Sequence, residues 1–416
     1  MDSMAKDSIY DVIIVGARVA GSSLAYELSK KGMRVLLLEK GMFPSDTLST
    51  HNFFNNAVAG LREMGVLDRL LESGAPLYKR AHVQFEDAVI DGDYPVVNGE
   101  ANCLCVRRTH LDQTLFEHAA SQVGVTALLG FRVTGVVTEN GAVCGVTGSH
   151  KDGRTETFRG RLVVGADGRR SAVREMVKSE RKICVPTEFA SFVGYFEDYR
   201  QEGETCVEFY KQGDKLAIVF PTSDGLAVVG LMYPLEDQAW TDRFTKDAET
   251  AFIELAGEAF PQLSFPQRLA QARLHGSVKG LLGYDNDWWD GMGPGWALLG
   301  DAMSFKDPAV GQGMYDAMTG SRVLADILAS HPDWPSSWDR MREAYNGTME
   351  AKTITRFGMA CLYTKNMPFT PEQTAVNHLI GAHPEAARAF LGMYNYANEP
   401  HDLERLIGEL LQGQGA

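Results

Sequence analysis

The chain has 416 residues, 44% of them hydrophobic, which is enough for a large core divided into two or three subdomains. A net charge of -14 and a pI near 5.2 argue against nucleic acid or an acidic membrane surface as the main partner. Mean hydropathy is -0.18, no run of about 18 apolar residues occurs, and the polar opening Met1–Asp7 lacks the apolar core of a signal peptide; a cytoplasmic protein without a membrane span is expected.

Ile9 to Val15 reads as an apolar strand, Ser22 to Lys31 as a helix that Gly32 stops, and Met33 to Leu38 as a second strand ending at Glu39. Between strand and helix lies Gly16-Ala17-Arg18-Val19-Ala20-Gly21. Gly16 and Gly21 occupy the first and last positions of a dinucleotide fingerprint, where glycine allows a tight turn and close helix packing. The helix N-terminus then offers free N–H groups to a pyrophosphate. Arg18 stands where the middle glycine is usual, and either crowds the backbone approach, adds a guanidinium contact to phosphate, or is a solvated surface residue. Glu39, 18 residues past Gly21 at a strand end, is placed to bind ribose hydroxyls.

A polar loop from Gly41 to Asn52 follows, long enough to border a site. Residues 55–73 read as one helix with Val58, Leu61, Met64, Leu67 and Leu70 on a face, and Leu111, Leu115 and Ala119 mark another. Residues 81–106 break into short β pieces, and residues 124–164 into strands separated by Asn140-Gly141 and Asp152-Gly153. Of the six cysteines, Cys103 and Cys105 flank Leu104 in a strand, an arrangement of buried thiols rather than a redox or zinc spacing. The ten histidines show no metal-binding pattern, so no metal is expected.

Two further Gly/Asp segments each follow an apolar run. Val163-Val164-Gly165-Ala166-Asp167-Gly168 leads to Arg174. Trp296-Ala297-Leu298-Leu299-Gly300-Asp301 leads through Pro308, Gly311, Gly313 and Met314 into a helix over 313–330. A carboxylate at Asp301 can accept from ligand hydroxyls, and the N–H groups of the following turn can face an anionic ring edge. Strands are expected at Ser191 to Phe196, Cys206 to Tyr210, Leu216 to Phe220 and Leu226 to Met232, and helices over 241–259 and much of 338–412.

These three segments resemble the flavoprotein monooxygenases of the p-hydroxybenzoate hydroxylase fold, as does Arg108-Thr109-His110-Leu111, similar to that family's Arg-x-x-Leu segment. The resemblance covers roughly residues 9–330. It implies an α/β protein: a Rossmann-like FAD-binding domain in discontinuous segments (1–80, 107–182 and 276–330), a β-sheet substrate domain (81–106 and 183–275) and a helical C-terminal region (331–416). FAD contacts are then expected from Gly16, Arg18, Ala20, Gly21, Glu39, Lys40, Arg108, Val133, Asp167, Asp301, Gly311, Gly313 and Met314. The loop from Phe43 to His51 resembles one bordering the flavin in a subgroup that shares the Gly-Ala-Arg-x-Ala-Gly entry. Two departures are Met303-Ser304, where Ala-His is common, and Tyr315, where asparagine is usual.

In the resembling family NAD(P)H binds transiently and reduces FAD, and O2 is then captured as a flavin C4a-hydroperoxide that hydroxylates or epoxidises an organic substrate. The absence of a second dinucleotide fingerprint fits that scheme. The pocket is expected between the flavin and the strands of 183–235, walled by Tyr195, Tyr210, Phe220, Met232 and Pro308, with His51 at the rim as a proton relay or a structural histidine. The apolar, aromatic bias points to an aromatic or polyketide-like small molecule, acted on by a monomer or homodimer. A flavin-dependent C=C reductase of the prenyl-reductase type is the alternative. A halogenase is less favoured, since no Trp-x-Trp-x-Ile-Pro motif is present and Lys79 reads as a surface residue; so is a non-catalytic FAD-binding protein.

Overall fold

The computed structural model describes residues 9–413 apart from 48 and 50, so the polar opening Met1–Asp7 and two positions of the 43–51 loop lie outside the described residues. Tyr10–Val15 lies between Thr155–Gly165 and Val35–Glu39, with Val125–Leu129 and Trp296–Leu298 farther out, all parallel. Strands buried on both faces must be apolar throughout, which is why they read as unbroken Val/Ile/Leu runs. Thr155–Gly165 also closes an antiparallel meander with Phe131–Glu139 and Ala142–His150. Asn140 and Gly141, both at positive φ (50° and 79°), make the first of its tight turns.

A seven-stranded sheet stands beside this core, in the order Arg273–Leu282, Phe189–Glu197, Leu226–Pro234, Lys215–Pro221, Cys206–Gln212, Arg80–Phe85 and Ala88–Asp93. Side chains alternate between its faces. Phe196, Tyr210, Val219 and Tyr233 pack on the helices Gln238–Lys246, Ala248–Ala259 and Phe265–Gln271. Tyr195, Ile218, Phe220 and Val228 point the other way, into a cluster with Phe54, Tyr94 and Tyr394.

Four expectations differ in detail. The helix over 55–73 is two, Asn55–Glu63 and Leu67–Leu71, because Gly65 between them takes a φ of +76°. The helix over 241–259 is also two, since extended Asp247 ends one and caps the next through the Thr250 amide at 3.2 Å. Cys103–Cys105 leaves the large sheet and pairs with Asn52–Phe53 and Leu77–Tyr78, splitting the 81–106 block. Arg273–Leu282 crosses the expected boundary at 275, held by its pairing with Phe189–Glu197.

The C-terminal helices close over the Tyr195 and Phe220 face of this sheet. Trp338–Tyr363 packs Met341, Tyr345 and Phe357 into the parallel-sheet core. Its far end lies against the other cluster through Met359 and Tyr363. Pro371–Ala382 seats on the edge strand Ala88–Asp93 at Gly381, where a Cβ would come 2.1 Å from the Val89 carbonyl oxygen. Among the described residues no helix is long and apolar enough to cross a membrane.

Candidate active site

The entry turn is shaped by contact. At Gly16 (φ +103°) a Cβ would stand 2.3 Å from the Ala166 carbonyl oxygen, and at Gly21 it would meet the Gly16 carbonyl at 1.8 Å. Only glycine lets the two strand ends and the helix Val19–Lys30 approach this closely. Glu39 is buried and pins the turn, one oxygen accepting from the Ala17 amide at 3.0 Å and the other from the Gly41 amide at 2.8 Å. Each oxygen keeps a further lone pair for a ribose hydroxyl. Lys40 is exposed beside it, and Val133 is buried in the sheet core.

Arg18 is not free. Its guanidinium bonds Asp112 and reaches Ser45 Oγ at 3.0 Å, and its side chain is one-third exposed. Arg108 takes the other Asp112 oxygen at 2.9 Å, so one fully buried carboxylate carries two guanidinium groups and leaves a surplus positive charge beside the turn. Arg108 and Asp112 are four residues apart on the helix Arg108–Ala120, a spacing that places them on one face. The role of Asp112 is visible only in three dimensions.

Asp167 does not present an open carboxylate. It accepts from Ser171 Oγ at 2.5 Å and from the Ala172 and Val173 amides at 2.7 and 3.3 Å, holding the start of the helix Ala172–Val177. Arg174 is buried, stacks 4.3 Å over Trp289, and donates to the carbonyls of Ala302 (3.1 Å) and Arg169 (2.8 Å), tying the second motif to the third.

The third motif meets the first at Gly300, where a Cβ would lie 3.1 Å from Ala20 Cβ. Next to it Asp301 has no hydrogen-bond partner among the described residues, and burial pushes its pKa up to about 6 against the pull of Arg108 and Arg169. A Cβ on Gly313, the first residue of the helix Gly313–Ser330, would lie 3.9 Å from Asp301 Oδ1. Gly311 turns at φ +65°, and Gln312, ahead of the helix, makes no side-chain cap. Met314 packs under this end against the cluster of Leu111 and Met318. The arrangement is an uncapped helix start facing an unpartnered carboxylate across a glycine-bordered gap. It fits FAD in its chemistry: a carboxylate there can accept from ligand hydroxyls, and free amides can take a polar ring edge.

His51 is fully buried at φ +58° and its ring lies parallel to that of Tyr195, with Nε2 in hydrogen-bond contact with the phenol oxygen and Nδ1 without a partner among the described residues. Burial, with Arg108 and Arg107 nearby, holds the imidazole well below its ordinary pKa, while burial raises the Tyr195 phenol. Arg107, which sequence reasoning passed over, lies over the Tyr195 ring at 4.8 Å. Phe220 shares their face of the sheet, and Met232 sits with Phe189 and Leu216 near Ala309. Tyr210 does not join them. It lies an odd number of residues out of phase, on the opposite face, bonded to Glu208 and stacked on Phe265. Pro308 is exposed at the start of its turn. Lys79 is also exposed and pairs with Asp93 at 3.0 Å. An open cleft of about 620 Å³ between Trp289 and Arg342 shares no lining residue with the three motifs, and its Asp290 and Arg342 are paired with each other.

Comparison with known proteins agrees with this geometry. Residues 9–334 match the FAD binding domain family. The chain is 25% identical over 340 residues to digeranylgeranylglycerophospholipid reductase 1 of Methanococcoides burtonii, spanning 77% of this chain and 74% of that one. It is 33% identical over 169 residues, 40% of each chain, to 6-methylpretetramide 4-monooxygenase of Streptomyces rimosus. A solved flavin-dependent brominase variant superposes with a TM-score of 0.77 at 20% identity, covering 97% of this chain and all of that one. The chain belongs to the FAD binding domain family, has the p-hydroxybenzoate hydroxylase type of fold, and is an FAD-dependent oxidoreductase.

Proposed function

We propose that this oxidoreductase is a monooxygenase that uses NAD(P)H and O2 to hydroxylate or epoxidise a small aromatic or polyketide-like molecule. The observation that carries the reading is the wall beside the third motif. It is apolar and aromatic on the sheet side, covered by the C-terminal helices, and has one neutral proton-handling pair, His51 and Tyr195, at its edge.

In this reading residues 16–21 and the Arg18–Asp112–Arg108 cluster border the pyrophosphate, Glu39 the adenosine ribose, Asp301 the ribityl chain, and the amides of 311–314 the pyrimidine ring. Bound FAD supplies acceptance of hydride from NAD(P)H and activation of O2. The protein's own residues do the rest. Phe220, Val228 and Ile218 exclude water and orient an apolar substrate. Tyr195, protonated because burial raises its phenol, donates to neutral His51 Nε2, which leaves the imidazole proton on Nδ1. That pair can hand a proton to, or take one from, an oxygen placed beside Tyr195. The division into an FAD-binding domain, a sheet-built substrate domain and a helical cover is part of the same proposal.

The test is oxygen uptake against NAD(P)H oxidation over a panel of aromatic and polyketide substrates. Substrate-dependent oxidation of NAD(P)H with equal O2 consumption and an oxygenated product supports the reading. A second reading has its own support in the 340-residue match to a reductase: reduction of a substrate C=C bond. It predicts substrate turnover under argon with reduced flavin and no oxygen requirement. Bromide- or chloride-dependent product formation would instead indicate a halogenase.

A further inference from the structure

Immediately behind the uncapped helix start lies a charge pair with a buried lysine. Lys306 Nζ is 2.6 Å from Asp316 in the first turn of the helix Gly313–Ser330, and the lysine side chain is only 3% exposed. Its other contacts are Gln312 Oε1 at 3.2 Å and the Tyr396 phenol oxygen at 3.4 Å. Tyr396 donates to Asp316 as well. Tyr396 stands 80 residues from Asp316 and beyond the residues matched by the family, yet it is locked in place. Arg356, 1% exposed, lies 4.6 Å over its ring and donates to the Asn398 carbonyl at 2.6 Å. Gln312 Nε2 donates to the carbonyls of Met393 and Tyr394 at 3.3 and 3.0 Å. Asn395 reaches Asn55 and the Pro95 carbonyl, both at 2.8 Å.

Tyr396 itself takes a left-handed backbone, φ +64°. That conformation is costly for an aromatic residue and persists only where the surroundings impose it. What it achieves here is placement of one phenol between a lysine and an aspartate. Asp316 by itself would offset the partial positive charge of the helix start; Lys306 restores it.

We infer that the Lys306–Asp316 pair, latched by Tyr396 from the C-terminal segment, sets the electrostatic field on the flavin's pyrimidine edge and thereby its reduction potential. The inference rests on the proposal that residues 311–314 face that edge. Two-electron reduction places negative charge on the pyrimidine ring, so a nearby cation favours the reduced form and a nearby anion opposes it. The two partners act with opposite signs, and they are positioning residues rather than reacting groups.

The experiment measures the flavin potential of FAD-loaded enzyme at pH 8.5, by equilibration with reference dyes, for four variants. Lys306→Met should lower the reduced-to-oxidised ratio at fixed ambient potential at least tenfold, about 30 mV for a two-electron couple. Asp316→Asn should raise it by a similar factor. The double variant should return to within threefold of wild type. Tyr396→Phe, which keeps both charges and the ring, should move the ratio in the same direction as Lys306→Met by a smaller factor. Unchanged potentials, or shifts of one sign in both charge variants, would overturn the inference, because lost packing has no reason to reverse sign. If Lys306→Met does not fold, Asp316→Asn and Tyr396→Phe still decide, with opposite shifts required. FAD content of Asp301→Ala, measured alongside, separates the two levels. Undiminished FAD there removes the underlying placement of the cofactor, whereas reduced FAD there with unmoved potentials in the other variants removes the inference alone.

Discussion

Two carboxylates, one in the large sheet and one in the third motif, make an instructive pair. Glu208, on the helix-covered face, is saturated. It receives both terminal nitrogens of Arg268 at 2.7 and 2.9 Å, and Tyr199, Gln201 and Tyr210 at 2.9 Å each. Burial alone would raise its pKa, but Arg268, Tyr199 and Gln201 outweigh that and draw it below the ordinary value. Asp301 has no such partner, and burial leaves its pKa at about 6. A protein that satisfies one acid five times over and leaves another without a partner among the described residues has assigned them different tasks. The first holds the sheet to its helices, and the second awaits a donor from outside the chain.

The comparison breaks most visibly by substitution at Arg268. Arg268→Ala leaves Glu208 charged and buried without its main partner, and should cost about 3–5 kcal/mol of unfolding free energy in urea denaturation. FAD content per folded chain should stay at the wild-type level, since nothing in that network touches the three motifs. A parallel loss of FAD from folded protein would show that the two faces are not independent.

Asp301 should behave in the opposite sense. Its pKa is raised in the folded apoprotein from 3.8 to about 6, so the stability it contributes is full below pH 4 and lost as pH rises through 6. Asp301→Asn apoprotein should therefore be more stable than wild type at pH 7.5, by an amount on the order of 2–3 kcal/mol, with the advantage shrinking toward pH 4. Thermal unfolding of FAD-free protein at both pH values checks this. An advantage that does not change with pH would mean that the carboxylate is already satisfied. A smaller effect is expected at Arg18. Removing the guanidinium leaves Asp112 to Arg108 alone and cancels the surplus charge beside the entry turn, so Arg18→Ala should weaken FAD binding by about 1–3 kcal/mol in a fluorescence titration. Unchanged affinity would place the Arg18–Asp112 bond among purely structural contacts.

Much of the fold was legible in the sequence because parallel strands buried on both faces leave no room for polar residues, and because Gly16, Gly21 and Gly300 sit where chain meets chain. Helix breaks were harder to read. Apolar periodicity runs on through Gly65 and Asp247 although the backbone does not. Tyr195 and Tyr210 are the same residue type in two strands of one sheet, and only strand register decides that one shares a face with Phe220 and the other faces Glu208. The motif residues Asp301, Gly311 and Gly313 come together through local sequence. Asp112, Arg107 and above all Tyr396 enter through tertiary contacts that no short-range pattern encodes.

The most direct test of the account is FAD content per purified chain for wild type, Asp301→Asn and Asp301→Ala, with circular dichroism as the check on folding. The account predicts a yellow wild type that releases FAD, a smaller loss for Asp301→Asn, whose amide oxygen still accepts one hydrogen bond, and the largest loss for Asp301→Ala with the fold intact. Equal, full FAD occupancy in all three proteins would contradict it and remove Asp301 from the cofactor site.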